Sequence, residues 1–216
     1  MKALRVNDYG APLHLATRLA HRPAAIAAEE AAGIALVSQT ATQMLELSKI
    51  RAGQTLLILG ASGGVGSLAV QLARNAGVHV IATARQSKAA ALEQLGAERV
   101  IDLTRERLED VRQVDALLNL VGGDTVVPSY ALVKPGGVAV TANRPPIAEE
   151  AARLGIEAAF VETNVTTEGL NAFAALVTDG KIKPQIAAVE TLWSPDSLWE
   201  KRETDKVGKI VFSIRS

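Results

Sequence analysis

A glycine-rich loop that joins a short apolar strand to a helix is the feature that most constrains this chain. Residues 55–59 predict a strand buried on both faces of a sheet, and residues 60–66, Gly-Ala-Ser-Gly-Gly-Val-Gly, follow it at once. Gly60 permits a tight turn, Gly63 allows the backbone to approach a diphosphate, and Gly66 allows the next helix to pack against the strand. A diphosphate would lie at the helix N-terminus, where free N–H groups favour negative charge. The loop therefore predicts dinucleotide binding; the alternative is a glycine-rich turn without a ligand.

The rest of the chain alternates between strands and helices. Besides the strand before the loop, strands are predicted at residues 78–83, 99–101, 116–121, 138–141 and 158–161, and helices at 64–75, 87–95, 105–111, 126–133, 148–154 and 170–178. A short strand opens the chain at 1–6, a helix-rich stretch follows at 27–47, and late strands are predicted at 186–189 and 209–214. This alternation predicts an α/β fold, a Rossmann-type doubly wound parallel sheet with helices on both faces.

The composition argues against several other functions. The chain has no cysteine, which excludes disulfides and thiolate zinc sites, and its three histidines are too far apart in the sequence to suggest a metal site. Lys plus Arg and Asp plus Glu both number 23, and only 3% of residues are aromatic, so no nucleic-acid partner is expected. No apolar run has the length of a signal peptide or a membrane span. We expect a cytoplasmic protein with no metal and no membrane partner.

The residues after the second strand indicate which dinucleotide is bound. Sites for NAD(H) carry an acidic residue near this point, which binds the ribose hydroxyls, and residues 84–88 include none. Arg85 and Lys88, with Ser87 between them, suit the 2′-phosphate of NADP(H). The pattern favours NADP(H) over NAD(H); the alternative is that both cations are ordinary solvated residues at a helix start.

Several segments, taken in order, resemble one known superfamily. They are residues 29–32, 40–41, 52–66, 95–102, 115–124, 132–137, 180–184 and 208–211. Together they resemble the medium-chain dehydrogenase/reductase superfamily, specifically its zinc-independent quinone oxidoreductase (zeta-crystallin-like) branch. The resemblance implies an NADPH-dependent oxidoreductase that transfers hydride to a small molecule, a quinone or an α,β-unsaturated carbonyl. No residue stands out as the catalytic acid or base, so the catalytic residues stay unknown.

The resemblance also implies a set of cofactor-binding positions. The diphosphate would meet Ser62, Gly63, Gly64 and Val65, next to Gly66, and the 2′-phosphate would meet Arg85 and Lys88. The ribose and nicotinamide side would be bordered by Val121, Gly122, Ala142 and Asn143, with Thr40 near the nicotinamide. Two positions depart from the family pattern: Leu103 replaces a common tyrosine, and Asn119 replaces a common aspartate.

The N-terminal part differs most from the family, in which a β-rich substrate domain covers the nicotinamide. Here residues 1–9 resemble the start of that domain, and residues 19–23 already resemble its end. We therefore expect most of that domain to be missing. The expected organisation is a remnant strand and linker at 1–22, a Rossmann domain at 23–190, and an irregular segment with a C-terminal strand at 191–216.

Three further expectations concern activity and assembly. A chain without the substrate domain suggests a non-catalytic NADP(H)-binding module or redox sensor as an alternative function. Trp193 and Trp199 are candidates to cover apolar surface in the irregular segment. Residues 158–161 would form the sheet edge through which a homodimer pairs.

A second catalytic motif is also present. Tyr130 and Lys134 match the YxxxK pair of short-chain dehydrogenases, in which the tyrosine passes a proton to the substrate. Tyr130 follows Gly66 by only 64 residues, and Lys134 abuts a Pro-Gly-Gly sequence. This spacing disfavours the short-chain alternative and suggests that Tyr130 is a packing residue.

Overall fold

The structure is a computed structural model. It describes residues 20–108, 111, 113–191 and 205–213, together with the backbone of the strand residues 4–5 and 14–15. Trp193 and Trp199 lie outside the described residues. Among the described residues, no helix combines the length and the apolar character needed to span a membrane.

A six-stranded parallel sheet forms the centre of the described part. Its strands are β3 (Thr55–Leu59), β4 (His79–Thr83), β5 (Arg99–Ile101), β6 (Val114–Asn119), β7 (Val133–Thr141) and β8 (Glu157–Phe160). They lie in the order β5-β4-β3-β6-β7-β8, and all neighbours are parallel. The strand order reverses between β3 and β6, which is where ligands bind in doubly wound sheets. The predicted Rossmann-type fold is confirmed.

Helices cover both faces of the sheet. They are α1 (Ala28–Ser48), α2 (Gly64–Asn75), α3 (Ala89–Leu95), α4 (Val126–Tyr130), α5 (Ala148–Arg153) and α6 (Thr167–Thr178). Alternate residues of each strand enter opposite cores. Leu56 and Ile58 pack with α1, α2, α3 and α6, whereas Leu57 and Leu59 pack with α4 and α5. All four are at most 1% exposed, which explains why β3 is apolar on both faces.

Two small pairs of strands lie outside this sheet. β1 (Leu4–Arg5) pairs with β2 (His14–Leu15) in antiparallel fashion; β1 lies within the predicted opening strand, and β2 was not predicted. β9 (Ile186–Thr191) and β10 (Lys209–Ser213) are the predicted late strands, and they pair in parallel. The proposed division at residues 1–22, 23–190 and 191–216 stays a prediction.

The helix predicted at 105–111 is not found at residues 105–107, which form no regular element. A further difference from the predicted elements lies between β6 and β7. The helix predicted at 126–133 ends at Tyr130, and β7 begins at Val133 instead of residue 138. Val133 pairs with Val114, and the pairing shifts in register before Ala116 pairs with Val138. The Pro-Gly-Gly sequence therefore lies inside a strand at an irregularity, where such residues are tolerated.

Candidate functional site

The glycine loop joins β3 to α2 and is held against the end of β4. Gly60 has a φ of +80°, and its N–H donates to Oγ1 of Thr83 at 3.1 Å. The N–H of Ala61 donates to the carbonyl oxygen of Thr83 at 3.2 Å. A Cβ atom on Gly66 would lie 2.6 Å from Cα of Ala61, so only glycine permits this packing. Thr83, which the sequence did not single out, thus fixes the start of the loop.

Helix α2 begins without a side-chain cap, because its N-cap residue is Gly63. The N–H groups of Gly64, Val65 and Gly66 donate no hydrogen bond within the part of the chain that the structure describes. A Cβ atom on Gly63 would approach only the carbonyl oxygen of Gly60, at 3.7 Å. Packing therefore does not require glycine at 63. Uncapped N–H groups at a helix N-terminus form a site suited to a phosphate or carboxylate.

The segment 205–209 passes over the glycine loop. The N–H of Gly208 donates to the carbonyl oxygen of Ser62 at 3.0 Å. A Cβ atom on Gly64 would lie 2.7 Å from Cγ and 2.9 Å from Cε of Lys209. The lysine side chain, as far as Cε, thus lies along Gly64, the first residue of α2, at the N-terminal end of the helix. Lys209 was not among the candidate site residues predicted from the sequence, because the match at 208–211 indicated only a late strand.

Arg85 and Lys88 lie at the end of β4, beside the glycine loop. Because β3 and β4 are parallel neighbours, their carboxyl ends meet at one edge of the sheet. Residues 86–88 form one turn of 3₁₀ helix, and Arg85 is exposed whereas Lys88 is half-buried. The structure therefore brings both predicted 2′-phosphate contacts to the same edge as the predicted diphosphate contacts.

The turn that carries these cations is held by Asp102, which is buried. Its Oδ1 accepts from the N–H of Thr104 at 2.9 Å and from its hydroxyl at 2.8 Å, and its Oδ2 accepts from the N–H of Gln86 at 2.9 Å. The pKa of Asp102 is lowered below the ordinary value of 3.8, chiefly by the hydrogen bond from the N–H of Thr104 and next by the hydrogen bond from the Thr104 hydroxyl. The ionised carboxylate of Asp102 therefore stabilises the 86–88 turn.

An acidic side chain also reaches this turn from far along the chain. The hydroxyl of Ser87 donates to Oδ1 of Asp205 at 3.4 Å, across 118 residues of sequence. No acidic residue was predicted at this turn, because the residues that directly follow the second strand include none. Because Ser87 and Asp205 are far apart in the sequence, no local sequence pattern indicates that they lie close together in the fold.

The loops after β6 and β7 touch each other and the glycine loop. A Cβ atom on Gly60 would lie 3.3 Å from Cγ2 of Val121, and one on Gly122 would lie 2.8 Å from Cβ of Asn143. Val121 is 54% exposed, and Ala142 is half-buried. The structure thus brings the four predicted ribose and nicotinamide positions next to the glycine loop, at the edge where the strand order reverses.

Asn119, for which the resemblance offered no role, organises the turn after β6. Its Oδ1 accepts from the N–H groups of Val121 at 3.1 Å and Gly122 at 2.9 Å. Its Nδ2 donates to the hydroxyls of Thr125 at 3.1 Å and Ser129 at 3.3 Å. Each of these hydroxyls also lies 2.7 Å from a backbone carbonyl oxygen to which it donates. A buried side chain that must both accept and donate explains why an amide occupies this position.

Thr40 lies apart from these positions. It is 7% exposed, and its hydroxyl lies 3.2 Å from the carbonyl oxygen of Leu36 and 2.9 Å from the hydroxyl of Thr163. These contacts link α1 to the chain after β8. Within the described part of the chain, the Thr40 side chain makes no hydrogen bond to the glycine loop, and its role at the nicotinamide stays a prediction.

Tyr130 and Lys134 do not form a catalytic pair. Tyr130 is fully buried, its hydroxyl accepts from the N–H of Ile147 at 3.3 Å, and burial raises the pKa of its phenol. Nζ of Lys134 donates to Oδ1 of Asp115 at 2.8 Å. Asp115 lies at the start of β6, the opposite edge of the sheet from the glycine loop. The short-chain alternative is therefore wrong, and Tyr130 is the packing residue that its spacing suggested.

No other cluster among the described residues competes with this site. They contain no group of three or more His, Cys, Asp or Glu residues that could hold a metal ion. A largely apolar cavity of about 390 Å³ opens between the N-terminal half of α1, the middle of α6 and residues 20–26, and none of the predicted cofactor positions lines it.

Comparison with known proteins gives consistent matches. Residues 64–177 match the family model described as zinc-binding dehydrogenase. The chain is 27% identical over 230 residues to the mitochondrial NAD(P)H oxidoreductase RTN4IP1 of Danio rerio, covering 91% of this chain and 59% of that protein. It is 32% identical over 174 residues to the chloroplastic NADPH-dependent alkenal/one oxidoreductase of Arabidopsis thaliana, covering 78% of this chain and 42% of the relative.

Solved structures agree with these matches. The quinone oxidoreductase from Coxiella burnetii superposes with a TM-score of 0.74 at 32% identity, covering 83% of this chain and 58% of that one. The chain thus spans 42% to 59% of the length of these three proteins.

Proposed function

Because this chain belongs to the zinc-binding dehydrogenase family, within the medium-chain dehydrogenase/reductase superfamily, we propose that it binds NADP(H) and acts as an NADPH-dependent oxidoreductase of the quinone oxidoreductase type. One observation carries the proposal: the uncapped N-terminus of α2 lies beside the side chain of Lys209. A diphosphate there would accept hydrogen bonds from the helix N–H groups and be neutralised by the lysine.

Each part of the dinucleotide has its own candidate contacts. The N–H groups of residues 64–66 and the ammonium of Lys209 would hold the diphosphate. The loops at 121–122 and 142–143 would border the nicotinamide, orient its ring and limit access of water. When bound, the nicotinamide supplies the hydride. The catalytic acid or base stays unknown.

Arg85 and Lys88 support NADP(H) over NAD(H). Two cations on one turn suit a 2′-phosphate, and the turn is held in place by the buried Asp102. The name of the Arabidopsis relative, an NADPH-dependent oxidoreductase, supports the same cofactor.

The substrate proposed is a small molecule, either a quinone or an α,β-unsaturated carbonyl. The names of the Arabidopsis and Coxiella proteins support these two classes. We propose that the reaction needs no zinc, because the sequence offers no thiolate and the described residues offer no ligand cluster. The absence of cysteine suits a reducing compartment, and we propose the cytoplasm.

Nucleotide binding to a Gly63→Ala variant tests the proposed site. A methyl group at 63 fits the fold, so we expect the free energy of unfolding to change by no more than about 0.5 kcal/mol. We expect the affinity for NADPH to fall about tenfold or more, as when one charge-assisted hydrogen bond is lost. Fluorescence titration and thermal unfolding provide the two measurements.

Gly66→Ala is the matched control for a folding defect. Its methyl group collides with Ala61, so we expect the free energy of unfolding to fall by about 1–3 kcal/mol. Unchanged NADPH affinity in Gly63→Ala would contradict the proposed diphosphate site. So would wild-type protein that binds neither NADPH nor NADH at millimolar concentration.

Turnover separates the enzyme from the alternative, a non-catalytic NADP(H)-binding module or redox sensor. The purified chain is incubated with NADPH and either 9,10-phenanthrenequinone or an α,β-unsaturated ketone, and loss of NADPH absorbance is followed. Turnover supports the enzyme. Tight binding without turnover across both substrate classes supports the alternative.

A further inference from the structure

Asp205 places a carboxylate at the turn that carries the proposed 2′-phosphate contacts. Its Oδ1 accepts from the hydroxyl of Ser87 at 3.4 Å, and Ser87 lies in the sequence between Arg85 and Lys88. Both Ser87 and Asp205 are exposed. The carboxylate is therefore accessible to a ligand that binds at this turn.

The rest of the segment 205–209 limits how far Asp205 can move. Val207 is 6% exposed and packs into the core beneath α1 and α2. The N–H of Gly208 is bound to the carbonyl oxygen of Ser62 at 3.0 Å, and the N–H of Lys209 to the carbonyl oxygen of Gln185 at 2.9 Å. Asp205 lies two residues from the buried Val207, a span of roughly 7 Å at most. The carboxylate thus stays near the 86–88 turn while these contacts hold.

A carboxylate and a 2′-phosphate compete for the same partners at this turn. Both are anions that accept hydrogen bonds from a hydroxyl and are attracted to Arg85 and Lys88. At close range they also repel each other. The 2′-hydroxyl of NAD(H), in contrast, can donate to a carboxylate, as it does to the acidic residue of NAD(H) sites.

We propose that Asp205 is a specificity-determining residue that lowers the preference for NADPH over NADH set by Arg85 and Lys88. This inference rests on the proposed NADP(H)-binding function and adds that NADH is a competing ligand. The segment 205–209 then supplies two charged residues to the site, Lys209 for the diphosphate that both nucleotides share and Asp205 for the ribose at which they differ.

Titration of Asp205→Asn with NADPH and with NADH at low ionic strength tests the inference. Asparagine keeps the shape of the side chain and removes its charge. We expect the ratio of the NADH dissociation constant to the NADPH dissociation constant to rise roughly fivefold, as for one like charge removed at about 6 Å in a partly solvated site. Arg85→Ala should move the ratio in the opposite direction.

Two control variants isolate the charge of Asp205. Asp205→Glu keeps the charge and should keep a ratio close to that of the wild type. Asp179→Asn removes the same charge at the end of α6, where Asp179 pairs with Lys181 at 3.6 Å, and should leave the ratio unchanged. Added salt should reduce the difference between Asp205→Asn and the wild type, because screening weakens repulsion.

The outcomes distinguish this inference from the function on which it rests. A ratio that is unchanged or lower in Asp205→Asn overturns the role of Asp205, while binding of both nucleotides leaves the proposed function intact. A rise that does not depend on salt also overturns the electrostatic role. Wild-type protein that binds neither nucleotide overturns both proposals.

Discussion

The positively charged side chain of Lys209 lies at the N-terminus of α2, a position that the helix dipole makes unfavourable for a cation. The N-terminus of α2 carries a partial positive charge from its unpaired N–H groups. The lysine side chain nevertheless lies along Gly64, the first residue of that helix. An anion bound between the ammonium group and the helix N–H groups would make both charges favourable. This pairing is the reason for proposing that Lys209, an exposed residue, binds the diphosphate.

We expect Lys209→Met to weaken the binding of NADPH and NADH to the same extent, about tenfold, because the diphosphate is common to both. Methionine keeps an unbranched side chain over Gly64, so the free energy of unfolding should change by no more than about 0.5 kcal/mol. Titration calorimetry with each nucleotide measures the effect, and Lys181→Met provides a surface control. A loss confined to NADPH would assign Lys209 to the 2′-phosphate instead.

A variant of Tyr130 tests whether the YxxxK motif is catalytic, because the structure places this tyrosine in the core and away from a catalytic lysine. In Tyr130→Phe the N–H of Ile147 loses its acceptor, so we expect the free energy of unfolding to fall by about 1 kcal/mol. The kcat for NADPH-dependent reduction should stay within about twofold, whereas loss of a proton donor would lower it by about 10²-fold or more. Steady-state kinetics with a quinone, alongside thermal unfolding, separates these results.

At the scale of elements, the turn after β6 depends on one buried amide. In Asn119→Asp, Nδ2 is replaced by an oxygen that faces two hydroxyls already directed at backbone carbonyls. We expect the free energy of unfolding to fall by about 1–3 kcal/mol, the cost of an unsatisfied buried polar group. We also expect a higher KM for NADPH, because the turn carries Val121 and Gly122. Asn171→Asp, at an exposed position of α6 away from the proposed site, is the control. Equal effects of the two variants would contradict this role.

The elements that the sequence predicted best are those with strong local patterns. The bounds of β3, α2 and β5 agree with the prediction, because an apolar run or a glycine marks each end. The first helix was predicted at 27–47 and is found at Ala28–Ser48. Its start has a local cause: Glu30 Oε2 accepts from the N–H of Ala27 at 3.0 Å.

The parts that the sequence did not predict depend on contacts between distant residues. The early start of β7 follows from pairing of Val133 with Val114 across the sheet. Asp205 and Lys209 reach the site from the other end of the chain, and Thr83 acts through the backbone of the glycine loop. Periodicity and motif spacing report local structure, so contacts of this kind appear only when the fold is known.

At the scale of the whole molecule, the sheet order explains how these separate residues form one site. The chain winds outward from β3 in one direction and from β6 in the other, so the loops after these central strands diverge to opposite faces. The glycine loop, the 86–88 turn and the loops after β6 and β7 all follow carboxyl ends of parallel strands. The segment 205–209 then passes over the glycine loop, which it contacts through Ser62 and Gly64.

The edge of the sheet formed by β8 bears on the homodimer expected from the sequence, which we propose pairs through this strand. Among the described strands, β8 is the last in order, with β7 on one side only. The N–H of Val161 donates to the carbonyl oxygen of Thr141 at 3.0 Å. Because alternate residues of a strand direct their N–H groups to the same side, the N–H of Ala159 also faces β7 and that of Ala158 faces outward. An outward row of this kind can pair with the same strand of a second copy.

Proline at each of these two alanines separates dimerisation from folding. Ala158→Pro removes an outward donor, so we expect a homodimer to become a monomer while NADPH affinity and the free energy of unfolding stay close to wild type. Ala159→Pro removes a hydrogen bond to β7 and should lower the free energy of unfolding by about 1–3 kcal/mol. Size-exclusion chromatography with light scattering, over a range of concentrations, measures the assembly. A wild-type chain that stays monomeric throughout contradicts the homodimer, and a dimer that persists in Ala158→Pro assigns the interface to another surface.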